Sequence, residues 1–123
     1  MKTTIVILSD PKSGSEEALG RMFNGLGAAN DFKQAGEDVS IVFQGTGSRW
    51  VAELMKPDHI AHGLFEAVKD KVAGVSAACA SVFGGEKEAK ECGFNLLTDA
   101  AVEGTPGVAS LRKYATEGRL LMF

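Results

Sequence analysis

Cysteine is scarce in this chain of 123 residues, which carries only Cys79 and Cys92. Two thiols thirteen positions apart make neither a disulfide scaffold nor a CxxC or zinc-ligand pattern, so free thiols in a reducing cytoplasm are expected. Positive charge is not in excess. Thirteen Lys and Arg stand against sixteen Asp and Glu, giving a formal charge of -3, so neither nucleic acid nor an anionic membrane surface is attracted electrostatically. Long apolar runs are missing too, and nothing approaches the ~20 residues needed to span a bilayer. The opening segment, Met1 to Asp10, has one cation and a short apolar stretch. It lacks the longer apolar region and small-residue cleavage site of a signal peptide, and reads as a strand.

Histidine is limited to His59 and His62. Three positions apart, they could share a helix face, but no third ligand with matching spacing is visible, so no metal is expected. They read as solvated or subunit-contact residues. Internal repeats, low-complexity tracts and linkers are absent as well. The length suits a single domain, residues 1–123, able to bury roughly two-thirds of its unfolded surface.

What is present is an alternation of strand and helix patterns. Ile5-Val6-Ile7-Leu8 is continuously apolar and β-branched, as in a strand covered on both faces. Ser13 and Glu16 match a capping box opening a helix to about Gln34, with Leu19, Met22, Phe23, Leu26 and Ala29 on one stripe. Gly20, Gly25 and Gly27 each cost about 1 kcal/mol inside that helix, which implies close packing on the sheet or a subunit. Val39 to Phe43 is a second strand. Ser48 is the expected N-cap of a helix carrying Trp50, Val51, Leu54 and Met55, broken by Pro57. Another helix is expected from about Asp58, a third strand from Val75 to about Cys79, and a short charged helix from Glu86 to Glu91. Phe94 to Leu97 reads as the fourth strand. Thr105 and Pro106 read as the start of the last helix, with Val108, Leu111 and Ala115 inward, and Arg119 to Phe123 as the fifth strand. The pattern predicts a three-layer α/β/α sandwich around a mainly parallel five-stranded sheet.

In such sheets ligands sit beyond the carboxyl ends of the strands. That rule selects Ser9 and Asp10, Gln44 to Arg49, Cys79 to Ser81, and Thr98 and Asp99. Cys79 is expected where strand three gives way to a loop and a helix N-terminus, which can favour a thiolate able to carry sulfane sulfur. The competing reading is a small core residue, given Ala77, Ala78, Val82 and Phe83 around it. Arg49 could face the pocket as an anion partner, and Asp10 could orient a cation or a thiol partner. Gly45-Thr46-Gly47 completes no phosphate-loop signature and reads as a plain strand-to-helix turn. Cys92 reads as packing. Trp50, Met55, Leu64 and Phe65 offer more apolar surface than one layer needs, so a subunit interface is expected on the first helix or the Trp50–Met55 helix.

In order and spacing, Thr4 to Leu8, Ser15-Glu16-Glu17-Ala18, Val39 to Gly45, Gly74 to Cys79 and Gly118 to Phe123 resemble the DsrE/DsrF-like family of small sulfur-relay proteins. The resemblance covers nearly the whole chain. It implies assembly into homo- or hetero-oligomers, commonly trimers or hexamers, with a homo-oligomer expected here, and a cysteine after the third strand that carries persulfide sulfur between a donor and an acceptor protein. Cys79 matches that cysteine, with Asp10, Gln44, Arg49 and Ser81 as its expected surroundings and no cofactor. Where active members often have glycine after the cysteine, this chain has Ala80. The alternatives are a non-catalytic ligand- or partner-binding module of the same fold and a flavodoxin-like mononucleotide binder.

Overall fold

A computed structural model describes residues 1–123. The strands are β1 (Lys2–Ile7), β2 (Val39–Phe43), β3 (Val72–Ser76), β4 (Leu96–Leu97) and β5 (Gly118–Met122). All pair in parallel, in the order β4-β3-β2-β1-β5. The helices are α1 (Glu16–Gln34), α2 (Trp50–Leu54), α3 (His62–Val68), α4 (Ala77–Phe83), α5 (Glu86–Glu91) and α6 (Leu111–Glu117), with a 3-10 turn at Gly45–Arg49 ahead of α2. The parallel sheet with helices around it is the three-layer α/β/α sandwich that the alternating pattern predicts. No helix is long and apolar enough to cross a membrane.

One face of the sheet carries most of the core. Ile5 and Ile7 of β1, Val39, Ile41 and Phe43 of β2, and Val75 of β3 pack with Met22, Leu26 and Ala29 of α1. Trp50, Val51 and Leu54 of α2, Ala61, Phe65 and Val68 complete that cluster with Ala80 and Ala89. Parallel register sets Ile5 beside Ile41 on one side and Leu121 on the other. The second face is thin. Val42 meets Ala109 and Tyr114, with Ala73, Leu97 and Leu120 partly buried around them.

Several expected boundaries move for identifiable reasons. Ser15, not Ser13, caps α1: its Oγ accepts the Ala18 N–H at 3.0 Å, while Ser13 sits in a preceding 3-10 turn closed by Asp10. Only Gly25 of the three α1 glycines meets the sheet, against Ile7 and Phe123; Gly20 and Gly27 face open space. Phe23 stays 44% exposed, outside the buried stripe. The third helix begins at His62 and not near Asp58, because the His59 ring nitrogen takes the Ala61 N–H and holds the preceding residues in turns. Thr105 spends its hydroxyl on the Val102 carbonyl and the Gly107 N–H, a local turn, so the last helix starts after Ser110. Tyr114 is its buried residue, while Ala115 is exposed.

Of the two helices expected at a subunit interface, the one from Trp50 spends its largest apolar side chains inside the chain. Trp50 is 3% exposed and Leu54 is fully buried within this one chain. Trp50 Nε1 donates to the Ser9 carbonyl at 2.8 Å, and His59 meets its ring edge-on. His62 is likewise engaged, its Nδ1 lying 2.7 Å from the Leu54 carbonyl. The histidines are therefore spent on contacts inside the chain.

Candidate functional site

The carboxyl ends of β1, β2 and β3 deliver two loops and a helix start to one rim. The loop after β1 carries Ser9 and Asp10; the one after β2 is the 3-10 turn; β3 runs straight into α4. β3 ends at Ser76, three residues before Cys79, so Cys79 lies in the first turn of α4 and not on a strand end or in a loop. Alanine is the strongest helix former, and Ala77, Ala78 and Ala80 favour a helix wherever the sheet stops needing a strand. Ser76 sends its side chain to the Ala109 N–H instead of capping α4. The Ala78 N–H is taken by the Gly107 carbonyl at 2.9 Å, so the loop before α6 closes over the start of α4.

The 3-10 turn is packed between β1 and α4. Gly47 lies so close to the Ile7 carbonyl that any side chain there would collide with it. Ser48 is buried and does not cap α2. Its Oγ faces the Gly84 carbonyl at 2.8 Å and the Cys79 carbonyl at 3.3 Å. Gly85, at φ 105°, passes directly under the Ser48 carbonyl, a conformation and an approach that need glycine. The glycine-rich stretches therefore serve backbone contact.

Arg49 ties these pieces together. Its Nη1 lies 3.0 Å from Asp10 Oδ2, its Nε donates to the Phe83 carbonyl at 2.8 Å, and its guanidinium stacks over the Phe83 ring at 5.5 Å. Burial works to raise the Asp10 pKa, but the Lys12 N–H and the Arg49 guanidinium outweigh it and hold the carboxyl below its ordinary value. Phe83 is four residues after Cys79, so the two share one face of α4. The structure thus links Asp10, Arg49 and Phe83 in one locus, and half-buried Cys79 lies one helical turn before Phe83 on α4. Phe83 is the member that sequence reasoning placed only among apolar neighbours.

Ser81 does not join it. Two positions past Cys79, it turns to another side of α4 and is exposed. Gln44 stands at the end of β2 with its N–H on the Ile7 carbonyl, while its buried Oε1 meets no hydrogen-bond donor. Asp99 is committed to the Ser110 N–H at 3.0 Å. Cys92 packs against the main core, and burial pushes its thiol pKa up, which favours the neutral form. No three His, Cys, Asp or Glu side chains converge in the way a metal ion requires.

No family model matches the chain. It is 36% identical over 69 residues to the uncharacterized protein MJ0733 of Methanocaldococcus jannaschii, a match covering 56% of this chain and 56% of that protein. The chain therefore spans just over half the length of this relative.

A concavity lies beside the Arg49 locus and not at Cys79. A cavity of about 430 Å³ opens at the carboxyl ends of β1 and β5, between Ser9, Asp10, Ser15, Ala18, Met122 and Phe123. Asp10 is the one residue it shares with the Arg49 locus. No local motif signals it, because it forms only when β5 returns to pair with β1.

Proposed function

We propose that this chain is a sulfur-relay protein of the DsrE/DsrF-like kind, carrying sulfane sulfur as a persulfide on Cys79. In the transfer, the Cys79 thiolate attacks the outer sulfur of a donor persulfide. The donor S–S bond breaks, a Cys79 S–S bond forms, and the donor leaves as a thiolate, with no net oxidation. The reverse attack by an acceptor thiolate discharges the sulfur. The observation that carries this reading is that half-buried Cys79 shares a face of α4 with Phe83, on whose ring the Arg49 guanidinium stacks. A cation seated on the residue one helical turn along α4 suits an anionic persulfide, and Asp10 holds that cation in place. A donor or acceptor protein, a homo-oligomer and a reducing cytoplasm belong to the same reading.

Its test is sulfur loading. Incubation of the wild type with a sulfane-sulfur donor is expected to add the mass of one sulfur atom, readily removed by a reductant; Cys79→Ser is expected to add none. A wild type that gains no sulfur, or a Cys79→Ser protein that still gains it, defeats the carrier role.

The second reading, a ligand-binding module without sulfur chemistry, is favoured by the cavity. The chain steps from β1 through β2 and β3 to β4 in one direction, then crosses back to place β5 on the far side of β1. Strand order reverses at β1, which is where open α/β sheets hold their ligands. The volume of about 430 Å³ also falls in the range of small-molecule pockets. A small molecule that copurifies with Cys79→Ser but is displaced by Ala18→Trp would select this reading over the first.

A further inference from the structure

The two edges of the sheet are protected very differently. β4 is only two residues long. β5 is a five-residue strand, Gly118-Arg119-Leu120-Leu121-Met122, and none of its residues is buried, whereas five of the six residues of β1 are. Natural edge strands avoid pairing by being short or by carrying lysine, proline or a bulge. β5 has none of these. Its one charge is turned away: Arg119 donates from Nε to Thr3 Oγ1 at 3.1 Å and its guanidinium lies over the Phe32 ring of α1.

The ladder shows which backbone groups remain open. The Phe123 N–H donates to the Val6 carbonyl at 2.8 Å, and the Phe123 carbonyl accepts from the Leu8 N–H at 2.7 Å. Alternation along the strand then directs Leu121 and Arg119 toward β1 as well, in agreement with the β1–β5 register. The N–H and C=O groups of Leu120 and Met122 point outward, away from the sheet.

We propose that this edge is a two-fold interface between copies of this chain, with β5 pairing antiparallel to β5 of a second copy. Setting Leu120 opposite Met122 of the second copy, and the reverse, satisfies all the outward groups with about four hydrogen bonds. The two-fold axis then passes at Leu121, which faces its own counterpart. The same register sets Arg119 opposite Phe123 of the second copy and keeps the two Arg119 charges apart. On the opposite face, Met122, which is 48% exposed, meets Leu120. Leu121 against its counterpart and Leu120 against Met122 are apolar pairs on the two faces, a self-complementary pattern that an isologous contact requires and an arbitrary peptide strand would not supply.

The test is the mass of the full chain in solution. Sedimentation equilibrium at micromolar concentration is expected to give a dimer, or a larger assembly with an even number of copies. Met122→Pro deletes an outward N–H that β1 does not use, and edge strands tolerate proline there. It is expected to halve the mass while leaving the far-UV circular dichroism unchanged. Met122→Lys, which keeps the backbone donor and adds a guarding charge, is expected to do the same, and it decides alone if the proline variant fails to fold. A wild-type monomer or trimer overturns the proposal, including a monomer that takes up a strand peptide in place of the second copy. So does a folded variant that keeps the wild-type mass. Sulfur loading of Cys79 is measured separately and stands or falls independently.

Discussion

The two faces of the sheet do different work. On the face under α1, α2 and α3, residues from nearly every element interlock around Phe43, Phe65 and Leu26, all fully buried. On the other, Val42, Ala109 and Tyr114 form a small cluster beneath α6 and the loop before it. Burial stabilises in proportion to apolar area removed from water, so the first face holds most of the folding free energy. The thin face and the rim next to it are correspondingly free to be shaped for contact. The Arg49 latch, the β1–β5 cavity and the unguarded β5 edge all lie outside the thick core.

Truncation should separate the faces most sharply. Phe65 is fully buried and meets Phe94 edge-on at 6.1 Å, so Phe65→Ala should cost about 3–5 kcal/mol. Leu97, partly exposed on the thin face, should lose only about 1–2 kcal/mol as Leu97→Ala. Urea unfolding of both variants measures the contrast. Equal losses would mean that the thin face is as tightly packed as the thick one, and the division would be wrong. Trp50→Phe tests the boundary between core and rim. It keeps most of the ring but deletes the hydrogen bond to the Ser9 carbonyl, which lies beside the Asp10 latch. A loss of about 1 kcal/mol is expected from that bond.

The thick face was largely legible in the sequence, and the rim was not. Val39–Phe43, Glu86–Glu91 and the end of α1 at Gln34 fall where the patterns put them, because period and composition agree there. Leu26, Ala29 and Met22 form the buried stripe expected of α1. The region around Cys79 is ambiguous in the sequence because Val75 to Phe83 is one short stretch of small and apolar residues, and such a stretch does not by itself distinguish strand from helix. The alanines favoured a helix, but the strand before them masked the change at Ser76. Thr105-Pro106 imitates a helix start and is consumed by its own turn. Arg49 was legible as a candidate; its partners were not, since Asp10 and Phe83 are brought to it only by tertiary packing. The β5 edge depends on strand order, which no local motif specifies.

The smallest expected effect sharpens the thin face by pH. Burial, reinforced by the carboxylates of Asp99 and Glu117, raises the Tyr114 phenol pKa above its ordinary 10.0. The folded chain therefore holds that proton more tightly than the unfolded chain does. The resulting stability is fully present below the unfolded value and is lost as pH rises through the folded one. Lys2 and Lys113 place their ammonium groups 5.7 and 5.8 Å from the ring centre, so the wild type alone would not isolate the phenol. The difference between wild type and Tyr114→Phe does. Phenylalanine keeps the ring and both cations, so its urea midpoint should fall less steeply above about pH 9.5. Parallel midpoints for the two proteins would show that the phenol is solvated in the folded chain, and that the thin face fails to exclude water even at its most buried aromatic.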